Sequence, residues 1–392
     1  MFLFEDYKEI KIKYDGRKKL IKVLFLIHDL SFGGAEKVLV NLVNNMDQKK
    51  FSITVFSLFD VGVNRQFLSE TVRYQYAFKK IIPGNSHFMK FFSSRQLYNR
   101  IIPEGYDVVV SYLEGPTARI VGGCAGEKIK SVSWIHSKMH TQNEISRSFR
   151  SYQEALECYN HADIMAFVSE EVREAFLNVC PVKCKTTVLY NTNESQKILQ
   201  QAMENVDSVE FESKYFYWCG VGKIVPNKGF DRMLKIQKKL LSEGYQTRLL
   251  ILGTGNQRNG LEKWCRENEI YDTVQFLGYQ TNPYKYISKC DLFVCASHEE
   301  GFSTAATEAL IVGTPVCTVE VSGMKEMLGA KSEYGMIVKN SDEALYEGIK
   351  MLLDSPGLLK YYQKQAVTRG KTFSTHETVC AVQNMLFKLV EE

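Results

Sequence analysis

Long hydrophobic runs, frequent proline and a strong charge of one sign are all missing from this sequence of 392 residues. No run of about 20 apolar residues is free of charge, so the sequence offers no helical membrane span. The N-terminal residues lack the order of a secretory signal, and we expect a cytoplasmic protein. The net charge of +4 comes without any nucleic-acid-binding signature, so nucleic acid is not an expected partner. Only eight prolines and no low-complexity tract indicate a globular chain.

Cysteine occurs ten times but never with the spacing of a zinc finger. Cys180 and Cys184 are close in sequence, as are His136 and His140, but neither pair has a second pair at a suitable distance. The other cysteines lie in predicted strands and helices, which is typical of small buried hydrophobes in a reducing compartment. We therefore expect no disulfides and no structural metal.

Apolar runs of strand length alternate with segments of helical spacing along most of the chain. Residues 23–27 form a nearly continuous apolar run, which is typical of a parallel strand covered on both faces. This alternation predicts an α/β fold with doubly wound, mostly parallel sheets. The further predicted strands are 53–58, 73–78, 107–111, 130–135, 163–168, 186–189, 215–221, 248–252, 273–277 and 291–295.

The length of the chain is enough for two domains of ordinary size. We predict a first domain at residues 1–193 and a second at 214–373. Residues 194–213 are polar, and we interpret them as the connection between the domains. The last helix, at about 374–392, would cross back onto the first domain. The two domains would face each other across a cleft, with ligands at the carboxyl ends of the strands.

The most informative stretch follows the predicted strand 291–295. A Glu-Gly-Phe turn at residues 300–302 leads into an alanine-rich segment, which predicts a helix that starts at or just after Gly301. The first amides of a helix and the positive end of its dipole attract anions. Glu300 precedes these amides, and Glu308 lies about two turns into the helix. The two carboxylates can therefore contact different parts of one ligand that carries phosphate and hydroxyl groups.

Glycine turns follow other predicted strands, each at the carboxyl end. Gly33 and Gly34 would let the backbone approach a phosphate or a sugar, and a tight turn without a ligand is the alternative. Similar turns contain Gly222, Gly253 and Gly278. Because all these turns lie at the same end of their strands, we predict the site in the cleft between the domains.

Taken together, these segments resemble the motifs of retaining glycosyltransferases of the GT-B fold, family 4, and in particular the enzymes of capsular and exopolysaccharide synthesis. The similarity spans both domains. It is carried by Gly-Gly-Ala-Glu at 33–36, Trp-Ile-His at 134–136, Val-Leu-Tyr-Asn at 188–191, Gly-Lys-Ile-Val-Pro-Asn-Lys-Gly at 222–229, Gly-Thr-Gly at 253–255, Phe-Leu-Gly at 276–278 and the two glutamates 300 and 308 with the following Ala-Leu-Ile-Val-Gly-Thr-Pro-Val.

The resemblance implies a hexosyltransferase that uses a nucleotide diphosphate sugar, with UDP as the expected nucleotide, retains the anomeric configuration and needs no metal or other cofactor. Lys223 and Lys228 would neutralise the departing diphosphate. The family often has arginine where Lys223 stands, and lysine lacks the bidentate fork of arginine. His136 and Glu300 would contact the donor sugar, and Glu308 the ribose. The donor-binding residues that the resemblance implies are Gly33, Gly34, Gly222, Gly253, Gly278, Tyr279, Gly301, Phe302, Ser303 and Glu308.

Residues 71–103 contain six basic side chains, no Asp or Glu, and several interleaved aromatic residues. We interpret this segment as a surface for an anionic bilayer. Such a surface would suit a lipid-linked glycan acceptor and an enzyme that is peripheral on the inner face of a bacterial cell membrane. The alternative is a basic surface helix whose aromatic side chains face the core.

Other functions fit the sequence less well. The carboxylates of a glycosidase flank one bond, whereas helical spacing puts Glu300 and Glu308 about 12 Å apart along the axis. A dehydrogenase would need Gly-x-Gly-x-x-Gly after the first strand, which residues 31–36 do not provide. A nucleotide-sugar epimerase of GT-B-like fold and a non-catalytic nucleotide-sugar-binding regulator are the remaining alternatives.

Overall fold

The computed structural model describes residues 20–31, 33–81, 84, 88–124 and 128–391. Two parallel sheets form its framework, one with strand order β3-β2-β1-β4-β5-β6-β7 and one with order β10-β9-β8-β11-β12-β13. The predicted pair of doubly wound α/β sheets is thereby confirmed. No helix in these residues combines the length and the apolar character that crossing a bilayer requires.

The first sheet and its helices extend from residue 21 to residue 188. Their bounds are β1 (Ile21–Ile27), α1 (Gly34–Asn45), β2 (Phe51–Phe59), β3 (Arg73–Phe78), α2 (Ser94–Ile101), β4 (Val108–Ser111), α3 (Pro116–Val121), β5 (Lys130–Ile135), α4 (Gln142–Ser146), α5 (Tyr152–Asn160), β6 (Ile164–Phe167), α6 (Glu170–Val179) and β7 (Lys185–Val188).

The second sheet and the remaining helices follow. Their bounds are α7 (Ser195–Ala202), β8 (Phe216–Val221), α8 (Phe230–Ser242), β9 (Thr247–Leu252), α9 (Arg258–Glu267), β10 (Val274–Gly278), α10 (Tyr284–Ile287), β11 (Leu292–Cys295), α11 (Thr304–Val312), β12 (Val316–Val319), α12 (Met324–Leu328), β13 (Met336–Val338), α13 (Asp342–Asp354), α14 (Pro356–Gly370) and α15 (Thr375–Glu391).

The central strands explain where ligand sites can form. In β1, residues 23–27 are fully buried, because helices cover both faces of the sheet. The strand order reverses between β1 and β4 in the first sheet and between β8 and β11 in the second. A crevice opens outside the carboxyl ends of the strands at such a reversal. Each sheet therefore contributes one crevice, beside the turns after β1 and β4 and after β8 and β11.

The segment between the two sheets contains a helix that the sequence analysis did not predict. Within the expected connection 194–213, α7 packs against α10 and α11 of the second sheet. Asn282 donates to the carbonyl of Gln201 (2.9 Å), and Ser288 donates to that of Ala202 (3.0 Å). The first part of the connection is thus built into the second domain.

The last helix lies against the first domain. The rings of Phe387 on α15 and Phe51 on β2 are 4.8 Å apart, and Gln383 accepts a hydrogen bond from the amide of Asp47 (2.7 Å). The chain therefore crosses between the domains a second time, after α14.

A buried arginine fixes one wall of the first domain. Arg119 on α3 is 1% exposed and donates to both carboxylate oxygens of Glu154 on α5, at 3.2 and 3.1 Å. Its remaining donors reach the carbonyls of Met89 (2.8 Å) and Phe92 (2.6 Å). Burial by itself raises the pKa of Glu154, but the bonds from Arg119 and Arg150 outweigh it and hold the pKa below its usual value. Segment 88–92 is thereby tied to the domain core.

We expect Arg119→Leu to destabilise the protein by about 3 to 5 kcal/mol, because it leaves a buried carboxylate without its main partner. Urea unfolding followed by tryptophan fluorescence measures this loss. Arg150→Leu is the matched control, since Arg150 contacts the same carboxylate from a side chain that is half exposed; it should cost no more than about 1 kcal/mol. Equal losses in the two variants would contradict the role given to Arg119.

Candidate active site

The two crevices face each other, and the backbones of the two domains touch there. A Cβ atom added to Gly301 would lie 2.2 Å from the carbonyl oxygen of His136, so only glycine fits at this position. A Cβ atom added to Gly34 would lie 3.9 Å from Thr304 Oγ1. The predicted residues of the first domain, Gly34 and His136, are thus brought against the start of α11.

The turn before α11 is held from the first domain. Ser169 donates to the carbonyl of Gly301 (3.4 Å), and Asn191 donates to that of Phe302 (3.3 Å). The ring of Phe302 is buried and stacks on Tyr190 at 5.1 Å between ring centroids. Its side chain therefore anchors the turn in the domain interface and leaves only its backbone for a ligand.

Helix α11 begins at Thr304, close to the predicted start. Ser303 is its N-cap and accepts a hydrogen bond from the amide of Ala306 (3.3 Å). The first four amides of a helix lack intrahelical acceptors, and this cap satisfies one of them. The start of α11 can therefore bind an anion through its remaining amides and the helix dipole.

Lys228 and Glu300 form an ion pair beside the start of α11. Lys228 Nζ lies 2.6 Å from Glu300 Oε1, and the Ser297 hydroxyl donates to the same oxygen at 2.7 Å. The Glu300 side chain is 12% exposed and that of Lys228 is 31% exposed. Ser297 thus holds the carboxylate in place independently of the lysine, which is free to turn toward a bound anion.

Glu308 is 4% exposed and is bridged to the first domain. Lys37 on α1 donates to Glu308 Oε1 at 2.6 Å, and Tyr284 on α10 donates to the same oxygen at 3.1 Å. Burial opposes the charge of Lys37, but Glu308 and Tyr284 outweigh this effect and raise the pKa of the lysine. Burying a carboxylate is costly unless it is paired and hydrogen-bonded, and these two contacts supply both.

Glu36 on α1 lies beside the glycine turn, within the electrostatic influence of Lys223 from the second domain. The Glu36 carboxylate covers the glycine turn, since a Cβ atom added to Gly33 would lie 1.8 Å from Glu36 Oε2. Burial raises the pKa of Glu36, and the positive charge of Lys223 counteracts part of that rise. Lys223 itself is exposed at the mouth of the site.

His136 is held by its neighbours and is neutral. Its amide donates to Glu114 (2.9 Å), and its ring lies 4.8 Å from that of Tyr112. Burial lowers the pKa of His136 to about 3. The ring atom Nε2 is buried and has no hydrogen-bond partner in the described part of the chain. A ligand hydroxyl would satisfy this nitrogen, and a buried unpaired polar atom is otherwise costly.

Comparison with known protein families assigns the chain to a family. A family model described as Glycosyltransferase Family 4 matches residues 32–192, and one described as Glycosyl transferases group 1 matches residues 203–369. The chain is a glycosyltransferase of these families. The boundary between the two matches lies between residues 192 and 203, where the chain passes from the first sheet to the second.

Relatives of this glycosyltransferase act in glycan assembly. It is 27% identical over 368 residues to the N-acetylgalactosamine-N,N'-diacetylbacillosaminyl-diphospho-undecaprenol 4-alpha-N-acetylgalactosaminyltransferase of Campylobacter jejuni, covering 90% of this chain and 95% of that one. It is 24% identical over 259 residues to the capsular polysaccharide biosynthesis glycosyltransferase CapM of Staphylococcus aureus, covering 62% of this chain and 67% of the other.

The solved structure of Anabaena HepE in complex with UDP has the same fold. It superimposes on this glycosyltransferase with a TM-score of 0.72 at 16% identity, covering 94% of this chain and 100% of that chain. The fold is therefore GT-B, as the sequence resemblance predicted.

The remaining predicted residues line the carboxyl edge of the second sheet of the glycosyltransferase. Gly253 has a φ of +139°, and a Cβ atom there would lie 1.8 Å from the carbonyl oxygen of Gly222. The amide of Gly253 donates to Gly278 (2.8 Å). The close packing of these turns is by itself a sufficient reason for glycine at these positions, and no bound ligand is needed to explain it. Tyr279, 53% exposed, lies at the outer end of this row, three strands from Glu300.

The sequence analysis missed several polar residues of the interface. Lys37, Tyr284 and Ser297 make the contacts described above, and Glu326 on α12 accepts from the amide of Glu171 at the start of α6 (3.2 Å). Burial raises the pKa of Glu326. Lys37 had a usable signal, because it directly follows the Gly-Gly-Ala-Glu turn. Tyr284 and Glu326 lie in segments without a recognisable motif.

We expect His136→Gln to reduce the acid sensitivity of the fold. The folded-state pKa of His136 lies below its unfolded value, so between pH 6.5 and 3 the unfolded chain binds a proton that the folded chain does not. The free energy of unfolding therefore falls as the pH falls, by at most about 1.4 kcal/mol per pH unit from this group. Urea unfolding at pH 7 and pH 5 measures the slope, and the same slope in both proteins would refute the buried, neutral state.

Proposed function

We propose that this glycosyltransferase moves a hexosyl group from a UDP sugar to a lipid-linked glycan acceptor, retains the anomeric configuration and needs no metal. The observation that carries the proposal is the Lys228–Glu300 pair at the start of α11, directly opposite His136. The UDP complex of HepE supports the choice of nucleotide. The Campylobacter jejuni relative, named for a diphospho-undecaprenol acceptor, and CapM support a role in surface polysaccharide synthesis.

The leaving diphosphate determines what catalysis requires. Negative charge accumulates on it as the glycosidic bond breaks, and cations or amide dipoles at that oxygen lower the barrier. Lys228 and Lys223 supply the cations in this proposal, and the amides at residues 301–303 supply the dipoles. Lys228 would exchange the Glu300 carboxylate for the diphosphate when the donor binds.

The donor sugar would lie between Glu300 and His136. Ser297 holds Glu300 in place when Lys228 turns away, so the carboxylate can accept hydrogen bonds from sugar hydroxyls. The neutral ring of His136 presents Nε2 to one further hydroxyl. His136 Nε2 would thereby gain a partner, and Glu300 would replace the one that it loses when Lys228 turns away.

The nucleoside would extend from Glu308 toward Tyr279. Both observed bonds to Glu308 end on Oε1, which leaves Oε2 for the ribose hydroxyls. The turns with Gly222, Gly253 and Gly278 continue along the edge of the sheet toward Tyr279. Neighbouring strands lie about 4.8 Å apart, so this row spans about 14 Å from Glu300.

The acceptor side is the first domain. Exposed side chains in the segment 71–103 include Lys79, Lys80 and Phe91, which is 84% exposed. Basic residues attract an anionic bilayer, and exposed aromatic rings sit at its interface. The enzyme would therefore lie on the inner face of the cell membrane, where a lipid-linked glycan is presented.

Turnover of labelled UDP sugars, with and without lipid-linked acceptors, tests the proposal against its alternatives. A transferase yields a glycosylated lipid, an epimerase yields a new UDP sugar, and a regulator yields neither. NMR of the anomeric proton before and after transfer decides between retention and inversion. An epimerised donor or an inverted product would contradict the proposal.

We expect Glu308→Gln to weaken UDP-sugar binding by about 1.5 to 3 kcal/mol, because an ionised acceptor of ribose hydroxyls is lost. Isothermal titration calorimetry measures the affinity. Lys37→Met is the matched control, since it breaks the same interdomain ion pair without removing the carboxylate. Unchanged affinity in Glu308→Gln, or an equal loss in both variants, would rule out the ribose contact.

We expect Lys228→Ala to lose roughly 2.7 to 4 kcal/mol of transition-state stabilisation, by analogy with the loss of one oxyanion donor. Transfer by the parent enzyme should persist in EDTA. Lys235→Ala, at an exposed lysine of α8, should leave the rate unchanged. If chelation abolishes turnover and added Mn²⁺ restores it, the metal-independent mechanism is wrong.

Replacing Lys79, Lys80, Lys90 and Arg95 by glutamine is expected to reduce binding to phosphatidylglycerol vesicles and to leave transfer to a soluble acceptor intact. Each basic residue near the surface contributes about 1 kcal/mol, more at low salt. Glutamine at the exposed lysines Lys238, Lys263, Lys360 and Lys364 of the second half of the chain is the control. Equal sedimentation of both variants with vesicles would remove the membrane surface from the proposal.

A further inference from the structure

The first domain contains an apolar cavity of about 860 Å³ between β2, β3 and α2. Its size falls within the roughly 300 to 1,000 Å³ of small-molecule sites. Phe56, Phe59, Phe78, Phe92 and Ile101 are among the residues that line it. It is distinct from the donor site, because its lining contains none of the residues placed there.

The cavity is open to solvent although its walls are apolar. Phe88 and Phe78, both in its lining, are 63% and 40% exposed. A soluble domain normally covers such side chains, and an exposed apolar concavity marks a binding site for an apolar group. Its wall is rigidly built, because Arg119 holds the carbonyls of Met89 and Phe92.

The rim of the cavity is basic. Arg100 is part of the lining, and its guanidinium lies 4.7 Å from the centre of the Phe92 ring. Lys79 and Lys80 directly follow Phe78, and the segment 71–103 contains no acidic residue. An apolar interior with a cationic rim is complementary to a molecule with a hydrocarbon chain and an anionic head.

The cavity also adjoins the active site. The ring of Phe59, in its lining, is 5.0 Å from that of His28, the residue that follows β1. His28 and Gly33 both lie between the end of β1 and the start of α1. A chain in the cavity would therefore place its head group toward the turn that faces the donor.

We propose that this cavity binds one hydrocarbon chain of a phosphate-bearing lipid acceptor, so that the enzyme takes the chain out of the bilayer plane while the glycan enters the cleft. The identity of the lipid as acceptor rests on the proposed function. A concave apolar site is suited to a single hydrocarbon chain. Contact with a bilayer surface would need exposed side chains but no concavity.

Calorimetric titration with dodecyl phosphate and butyl phosphate, below the concentration at which micelles form, tests the proposal. The two probes share the head group and differ only in the chain. Dodecyl phosphate should bind at least about tenfold more tightly, since each buried methylene adds favourable transfer free energy. Inorganic phosphate should bind no more tightly than butyl phosphate. Equal affinities for the two alkyl phosphates would overturn the proposal.

Two variants locate the binding. Ala77→Trp places a large side chain in the cavity and should reduce the preference for dodecyl phosphate to less than about threefold. Phe88→Ser, at an exposed side chain that leaves the core intact, should reduce the preference as well. Phe67→Ser is the matched control, at a phenylalanine that is 49% exposed and lies outside the cavity. If the preference persists in both cavity variants, the cavity does not hold the chain.

Vesicle binding separates the chain site from a membrane surface. Ala77→Trp keeps every basic residue and should sediment with phosphatidylglycerol vesicles as the parent does. Loss of vesicle binding with an unchanged preference for dodecyl phosphate would assign the cavity wall to the bilayer surface and refute the proposal. The titrations do not depend on turnover, so an inactive enzyme with a clear chain preference would refute only the proposed transfer.

Discussion

The buried carboxylate of Glu308 constrains how the two domains can meet. A carboxylate at this depth is stable only with a cation and a hydrogen-bond donor beside it. The second domain supplies the donor, Tyr284, and the cation is Lys37 of the first domain. The first turn of α1 must therefore lie over α11, and this position brings the glycine turn after β1 against the start of α11. This contact and the close approach of Gly301 to the carbonyl oxygen of His136 together set the geometry of the cleft.

Much of the fold could be predicted from the sequence, because parallel strands covered on both faces leave continuous apolar runs. The run at residues 23–27 and the strand before Glu300 are examples, and both occupy central positions in their sheets. Helix α7 could not be predicted in this way. Of its residues, Ile198 is buried, and it is buried against helices that are distant in sequence. A mostly polar segment reveals a helix only through such tertiary contacts.

The residues of the candidate site differ in the same way: some follow local sequence patterns, and others depend on tertiary contacts. Glu300, Glu308 and the glycine turns could be predicted because each belongs to a local strand–turn–helix pattern. Lys37 pairs with a residue 271 positions away, so its role depends on how two domains meet. The sequence also does not predict the direction of the Phe302 side chain, because its ring is buried against residues of the first domain and of the segment before α15. Local patterns thus predicted the carboxylates and turns of the candidate site, whereas their electrostatic partners depend on the assembled interface.

The two ion pairs of the site have a consequence for how the proposed donor would bind. Lys228 is paired with Glu300 and Lys37 with Glu308, so the proposed donor would have to replace existing contacts as well as add new ones. The free energy of donor binding would then be the difference between two sets of charge-assisted bonds. It would be smaller than the sum of the new contacts. In the proposed reaction the contact of Lys228 would strengthen, because the diphosphate acquires charge as the sugar leaves. Breaking the Lys228–Glu300 pair would weaken binding of the donor and of the transition state equally. The contact of Lys228 with the growing charge of the diphosphate would be stronger in the transition state, which is the condition under which binding energy raises the rate.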